Sequence, residues 1–417
     1  MHDFKYKNNK LFCEKVEVTK LARQYGTPLY VYSYSTLISH YLKLKEAFKE
    51  VNPLICYSVK ANSNLSILKA LVDKGAGLDI VSGGELFRAI KAGCPANRIV
   101  YASVGKTDGE IRVSIKRGIL FFNAESLAEL DNINRIAKIF GKTTNVTIRI
   151  NPDVEPKTHK FITTGKITNK FGIDFETAAK IFAERKKFGN LRICGIHIHI
   201  GSQITETAPY VAAVLKVTDF IKRLKGQNIN LECFNIGGGL GIIYDKENAQ
   251  TAEKFAKEVL PLLKKTGLKI IIEPGRFIAG NAGILVAKAL YIKSTPSKKF
   301  VIVDAGMNDL IRPALYEAYH QLLPLEQVKS REKEVADVVG PICESSDYFA
   351  KERLIPEVNA GEYLAVMGAG AYGFSMASNY NSRRRPAEVL VKGNKAFLIR
   401  KRESFLHLIE NENLINL

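Results

Sequence analysis

The chain has 417 residues, 46% hydrophobic and 25% charged, and its 61 Lys and Arg against 42 Asp and Glu give a formal net charge of +19. That length exceeds what one hydrophobic core usually serves, so two domains are expected; no uncharged apolar run is long enough to cross a bilayer, and Met1-His2-Asp3-Phe4-Lys5 has neither a signal core nor an acid-free transit segment, which predicts a cytoplasmic protein with no membrane partner. The basic excess is spread over nearly every predicted helix, its one dense run is Arg383-Arg384-Arg385, and no zinc-finger, RNA-recognition or helix-turn-helix signature accompanies it, so it reads as a solvated face that draws anionic ligands and not as a nucleic-acid surface.

In chain order, the first 27 residues and the Leu29-Tyr30-Val31-Tyr32 run predict an N-terminal segment packed against the C-terminal part. From residue 54 to about 276, short apolar runs alternate with amphipathic stretches, as parallel strands joined by helices do. Eight runs fit strands: Leu54 to Val59, Gly77 to Val81, Arg98 to Tyr101, Ile119 to Phe122, Val146 to Ile150, Ile193 to Ile198, Leu231 to Ile236 and Lys269 to Ile272. Between the fourth and fifth, Leu127, Leu130, Ile133, Ile136, Ala137 and Phe140 recur at helical spacing and predict one inward face. Eight successive units predict a closed (β/α)8 barrel over residues 28–280. A doubly wound sheet also alternates but rarely needs eight units, and Gly-x-Gly-x-x-Gly is missing after the first strand. Beyond residue 280 the period becomes two, in Ile284 to Ile292, Phe300 to Asp304, Glu334 to Val339, Tyr363 to Val366, and Glu388 to Val391 with Phe397 to Arg400 around a Gly393-Asn394 hairpin turn. The predicted fold class is thus α/β, a parallel barrel plus a C-terminal antiparallel β domain (281–417) joined by residues 1–27.

The loops that follow barrel strands form one face, and that face carries chemistry. Lys60, closing the first strand, is either a strand-end lysine reaching to water or an amine whose pKa burial lowers, making it a Schiff-base nucleophile toward an aldehyde. The motifs downstream favour the second reading. Asp79 lies on the second strand before Ser82-Gly83-Gly84-Glu85, Arg149-Ile150-Asn151-Pro152 ends the fifth, and His197-Ile198-His199-Ile200-Gly201-Ser202 ends the sixth. Gly237-Gly238-Gly239-Leu240-Gly241 follows the seventh and Glu273-Pro274-Gly275-Arg276 the eighth. A glycine run is either a flexible turn or a cradle of N–H groups for phosphate, and its place after the seventh strand of a barrel favours the cradle. Ser202 and Arg276 extend it toward the same phosphate or a nearby carboxylate. An amine, a phosphate cradle and a carboxylate describe a pyridoxal phosphate site, whose ring nitrogen must stay protonated to accept electrons; Glu273 is the candidate partner of that nitrogen. His199, adjacent to Gly201-Ser202, is ranked above His197 as the imidazole against the ring face, the alternative being a core histidine.

These motifs, with Tyr57-Ser58-Val59-Lys60-Ala61-Asn62, Gly340-Pro341-Ile342-Cys343-Glu344-Ser345-Ser346-Asp347 and Gly368-Ala369-Gly370-Ala371-Tyr372-Gly373, occur in an order that resembles the barrel-type, alanine-racemase-like pyridoxal phosphate decarboxylases over nearly the whole chain. The set is most similar to the branch acting on meso-2,6-diaminopimelate. The resemblance implies that Lys60 carries pyridoxal 5'-phosphate, with Asp79, His199, Ser202, Gly238, Gly239, Glu273, Gly275, Arg276 and Tyr372 around it. It implies that Arg276, Arg312 and Tyr316 hold the far carboxylate of the substrate, that Glu344 takes the far ammonium, and that Tyr372 lies beside cofactor and substrate. It also implies a homodimer in which Cys343 and Glu344 reach into the partner's site.

The six cysteines show no Cys-x-x-Cys pair and no zinc spacing, so free thiols and no metal are expected. Cys343 is either a packed apolar residue or, given its polar neighbours, a proton donor to the substrate α-carbon, for which a reference pKa near roughly 8.5 suits it. The implied reaction is decarboxylation of meso-2,6-diaminopimelate to L-lysine, the last step of lysine biosynthesis. Ornithine or arginine would leave the desolvated Arg312 without a carboxylate. The alternatives are a decarboxylase of the same fold acting on carboxynorspermidine, ornithine or arginine, a racemase, which needs a second base opposite Lys60, and a non-catalytic pyridoxal phosphate carrier, which needs only the barrel. Arg384 makes one loop unusually basic, and no role is assigned to it.

Overall fold

Eight parallel strands close on one another: β1 (Leu54–Ser58), β2 (Gly77–Ile80), β3 (Ile99–Ala102), β4 (Phe121–Ala124), β5 (Thr144–Arg149), β6 (Leu191–His197), β7 (Cys233–Asn235) and β8 (Lys269–Ile272), with β8 pairing back onto β1. This computed structural model describes residues 2–155, 169–245, 247, 249–328 and 330–416. Strands β2, β3 and β4 are buried at every position, as strands covered on both faces must be, so their sequences are apolar runs without alternation. Helices follow the strands, and several begin on side-chain caps. Ser82, Thr107, Ser126, Asp174 and Thr251 each accept the N–H of the third residue on, which satisfies one otherwise open donor per helix. In the helix Leu127–Ile139, Leu130, Ile133, Ile136 and Ala137 face inward, whereas Leu127, in the first turn, is 50% exposed. The fourth strand starts at Phe121 and not at Ile119, and the seventh spans three residues instead of six.

Small residues pack one part of the barrel wall. A Cβ at Gly77 would stand 2.8 Å from Cys56 Sγ, and one at Gly195 2.5 Å from Cys233 Sγ, so these glycines leave room for thiols that cluster with Cys194, Val100, Phe121 and Ile271. Five of the six cysteines are buried, three of them in this cluster, and Cys343 is exposed.

The chain divides into two units, Ile38–Ile243 with Glu247–Ile278, which holds the barrel, and Met1–Leu37 with Tyr244–Lys246 and Ala279–Leu417. The second unit contains β9 (Gly283–Ser294), β10 (Lys299–Val303), β11 (Leu322–Pro324), β12 (Lys333–Val339), β13 (Tyr348–Pro356), β14 (Tyr363–Val366), β15 (Ala387–Lys392) and β16 (Lys395–Arg400). Leu29–Ser33 joins this sheet between β9 and β15, so the division falls after Leu37 and not at residue 28.

The antiparallel expectation needs correcting, because the sheet is mixed: Leu29–Ser33 runs parallel to β15, and β10 parallel to β12. Both parallel pairs are separated by long connections, the first by the whole barrel and the second by the stretch containing the helix Arg312–Tyr316 and β11, which lets the chain return to its starting end. Strand β13 escaped the sequence reading because Lys351-Glu352-Arg353 interrupts its alternation where the register with β12 shifts and Glu352 takes φ 46°. The Gly393-Asn394 turn links β15 to β16 as expected.

Candidate active site

The strand ends of the barrel carry a tier of buried polar side chains. Ser58 ends β1, Asp79 lies in β2, Asn123 in β4, Thr147 in β5, His197 ends β6, Asn235 ends β7, and Glu273 follows β8; all are under 4% exposed. Polar groups are tolerated in such a place only if they bond one another. Asn235 Nδ2 donates to Glu273 Oε1 at 2.6 Å, Asn123 Nδ2 to the same oxygen at 3.3 Å, and His197 Nε2 to Oε2 at 3.1 Å. Thr147 Oγ1 donates to Asn123 Oδ1 at 2.5 Å and so orients the amide. Burial alone pushes the Glu273 carboxyl up, but His197, Lys60 and Asn235 outweigh it and hold the group well below the usual carboxylate range. Glu273 is therefore a fixed anion near the axis of the barrel, suited to a cationic ring nitrogen.

Lys60 lies in the single turn Val59–Ala61 that follows β1, and its Nζ is 2.7 Å from Asp79 Oδ2, which also accepts Ser58 Oγ at 2.7 Å. The side chain is 33% exposed. The amine thus stands among carboxylates at a cavity wall, not in the apolar sleeve that the strand pattern implied. Burial, then the nearby Glu273, raises the Asp79 carboxyl. Glu85 accepts the Val81 N–H at 2.8 Å, and burial pushes its carboxyl up to about 7. Lys60, His197, His199 and Glu273 line one cavity of about 340 Å³ with Arg149 and Phe171. Arg149 pairs with Glu125 at 2.8 Å and lies 4.8 Å over the Phe171 ring.

His199 accepts the Gly238 N–H on Nδ1 at 3.1 Å, which leaves Nε2 as the protonated nitrogen of the neutral ring; burial and the charges of Arg149 and Lys60 keep it neutral, well below the ordinary histidine range. The glycine turn is forced by close approach of backbone. A Cβ on Gly237 would collide with the Ile198 carbonyl, one on Gly238 with the Glu273 carbonyl, and one on Gly239, at φ 106°, with the Gly201 carbonyl. The Gly237 and Gly238 N–H groups are given to Asn235 Oδ1 and His199, while among the described residues those of Gly239 and Leu240 have no partner in the chain. Beside the turn, Arg276 donates to Ser202 Oγ at 3.1 Å, and Gly275 precedes the short helix Arg276–Ala279.

Nine of the expected residues (Lys60, Asp79, His199, Ser202, Gly238, Gly239, Glu273, Gly275, Arg276) therefore belong to the barrel unit, and Arg312, Tyr316, Cys343, Glu344 and Tyr372 belong to the second. Within the second unit Arg312 is buried, donates to His320 Nε2 at 2.8 Å and lies 4.6 Å over the Tyr244 ring; His320 gives its Nδ1–H to the Met367 carbonyl. Tyr316 ends the short helix begun by Arg312. Asp347 accepts the N–H groups of Met307 and Ile342 at 2.6 Å each, holding the loop that presents exposed Cys343 and Glu344. Hydrogen bonds from Ser346 and Tyr380 keep the Glu344 carboxyl low. Tyr372 takes φ 57°, a conformation costly for a bulky residue and frequent at functional sites. Asn123, Thr147, Asn235 and the pairing role of His197 went unread in the sequence. Their signal was present, since Asn123 and Asn235 interrupt runs buried on both faces.

Pyridoxal phosphate fits this arrangement: an amine at a cavity wall, a buried anion for the ring nitrogen, a neutral imidazole, and a turn whose open N–H groups no side chain could crowd. The fold and site define a pyridoxal phosphate-dependent decarboxylase of the barrel type. Residues 34–280 match the pyridoxal-dependent decarboxylase family, pyridoxal binding domain. The diaminopimelate decarboxylase of Aquifex aeolicus is 50% identical over 97% of this chain and 96% of its own length. Two solved diaminopimelate decarboxylases, each complexed with L-lysine, are similar throughout: that of Helicobacter pylori, 43% identical with a TM-score of 0.91 over 95% of this chain and 99% of its own, and that of M. jannaschii, 40% identical with a TM-score of 0.95 over 100% and 99%. The chain belongs to the diaminopimelate decarboxylase family. Among the described residues no helix is long and apolar enough to cross a membrane.

Proposed function

We propose that this chain releases CO2 from meso-2,6-diaminopimelate to yield L-lysine in the cytoplasm, with Lys60 holding pyridoxal phosphate and Cys343 returning the proton. The observation that carries the proposal is the buried Glu273, kept anionic by His197, Asn235 and Lys60. Pyridoxal phosphate, when bound, supplies a cationic ring that takes up the electron pair left behind by CO2. Glu273 keeps that cation protonated, His199 packs against its face, and Gly238, Gly239, Gly275 and Ser202 surround its phosphate. Asp79 is within bonding distance to take the proton that Lys60 must lose before its amine attacks a carbonyl. Arg276, Arg312 and Tyr316 hold the far carboxylate, Glu344 the far ammonium, and Tyr372 lies beside substrate and cofactor. Cys343, the exposed member of six thiols, delivers the proton to the α-carbon from the partner subunit of a homodimer. Relatives of this name matched end to end, two of them solved with L-lysine, support the substrate.

The test offers the loaded enzyme meso-diaminopimelate, ornithine, arginine and carboxynorspermidine separately and measures CO2. Fastest release from meso-diaminopimelate, with L-lysine as product, is expected; faster release from any other substrate would sink the assignment.

A further inference from the structure

The dense basic run Arg383-Arg384-Arg385 is not used by the reaction. Arg385 and Arg400 are neutralised by Glu403 and Glu388 at 2.5 Å. Arg383, Arg384 and Arg402 instead line a separate cavity of about 350 Å³ within the second unit, and among the described residues no carboxylate lies within 4 Å of any of the three guanidiniums. Arg383 and Arg402 spend one nitrogen each on backbone carbonyls, of Asp304 at 2.9 Å and of Pro28 at 2.6 Å. Arg384 makes no hydrogen bond in the chain among the described residues and is held only by stacking, 4.6 Å over the ring of Phe405, which is itself 69% exposed. Burial, then the like charge of Arg384, depresses the Arg402 guanidinium against the opposing pull of Asp309 and Asp304. Two acids also line the cavity: Asp304 accepts from Thr27 Oγ1 and the Lys288 N–H, Asp309 from the Gly306 N–H, and burial raises both carboxyls, which weakens their claim on the arginines. Planar guanidiniums with free donors around a common space select a tetrahedral oxyanion over a monovalent halide, because several oxygens can be bonded at once.

We propose that this cavity binds a phosphate-class oxyanion, free or as a phosphomonoester, through Arg383, Arg384 and Arg402, and that its occupancy sets the position of the Cys343 loop. The connection is short. The turn that carries Arg383 and Arg384 also carries Asn381 and Ser382, at φ 54° and 53°, and Asn381 Oδ1 accepts the Cys343 N–H at 3.0 Å while Tyr380 donates to Glu344 at 2.8 Å. Two successive non-glycine residues in the left-handed region are costly to hold, so ligation of the neighbouring arginines would act on a turn that already carries local strain.

The test is calorimetric titration of the pyridoxal phosphate-loaded enzyme, whose own cradle is then filled, with inorganic phosphate and separately with phenyl phosphate, at ionic strength held constant with chloride. At least one ligand binds, Arg384→Gln weakens it about tenfold, and Lys395→Gln, an equal charge change at an exposed site, does not. Tighter binding of phenyl phosphate identifies a monoester as the source, and tighter binding of phosphate the free ion. Alkylation of Cys343 by iodoacetamide, selective because the other thiols are buried, changes in rate at saturation in the parent enzyme and not in Arg384→Gln. The proposal fails if neither ligand binds, if Arg384→Gln binds as tightly as the parent, if Lys395→Gln loses as much, or if the alkylation rate ignores the ligand.

Discussion

Asn235→Ala is the sharpest test of the polar tier, because one buried amide performs two tasks. Its Nδ2 donates to Glu273 Oε1 at 2.6 Å and its Oδ1 accepts the Gly237 N–H at 2.9 Å, with no exposed surface. Alanine removes a hydrogen bond to a charged acceptor, typically about 1.5–3 kcal/mol, and strands a buried backbone donor, about 1–3 kcal/mol, so the loss is expected at roughly 2.5–6 kcal/mol. The pH dependence should change with it. Glu273 is depressed below its unfolded value, so its contribution is fully present above the unfolded carboxylate pKa near about 4.5 and is lost as pH falls through the folded value. Without Asn235 the folded value rises, and acid unfolding starts at higher pH. Urea unfolding of the cofactor-free protein, monitored from pH 3 to 8, measures both effects. A loss under about 1 kcal/mol at neutral pH, or an unchanged acid limb, would refute the view that this amide holds the anion in place.

Gly238→Ala places a Cβ against the Glu273 carbonyl, and is expected to cost fold stability and abolish the visible absorbance of bound cofactor; full cofactor content after dialysis would contradict the close approach. Cys343→Ala should keep that absorbance while turnover falls by about a hundredfold, in the range of a lost general acid, and undiminished turnover would remove the thiol from the reaction. Asp309 is pushed up to about 7, chiefly by burial, with Arg383 and Arg402 opposing and Asp304 assisting. A raised carboxyl contributes stability below its unfolded pKa that is lost as pH rises through the folded one, so Asp309→Asn should gain on the parent by roughly 2 kcal/mol between pH 5 and 8, read from paired unfolding curves; parallel curves would contradict it.

The barrel was legible from the chain because strands covered on both faces cannot carry polar residues cheaply, and eight short, mainly apolar runs between helical stretches admit few closures. The loops after those strands were legible for the same reason: Lys60, His199, the Gly237 to Gly241 turn and Glu273 each follow directly on a run whose end is sharp. The second unit was harder to read. Direction in a sheet depends on where long connections return, so two parallel pairs went unseen, and Lys351-Glu352-Arg353 hid β13 inside what looked like a loop.

What sequence alone determined, then, was which residues stand at strand ends; what only tertiary structure decided was which of them meet. The partnership of Asn123 from β4, His197 from β6 and Asn235 from β7 with one carboxylate beyond β8 comes from closure of the barrel, which brings residues 38 to 150 positions apart within hydrogen-bond reach. Local pattern carries burial, because burial follows each residue's own period along its strand. It carries no record of hydrogen bonds between distant strands, since their energies depend on atom positions that only the closed sheet sets.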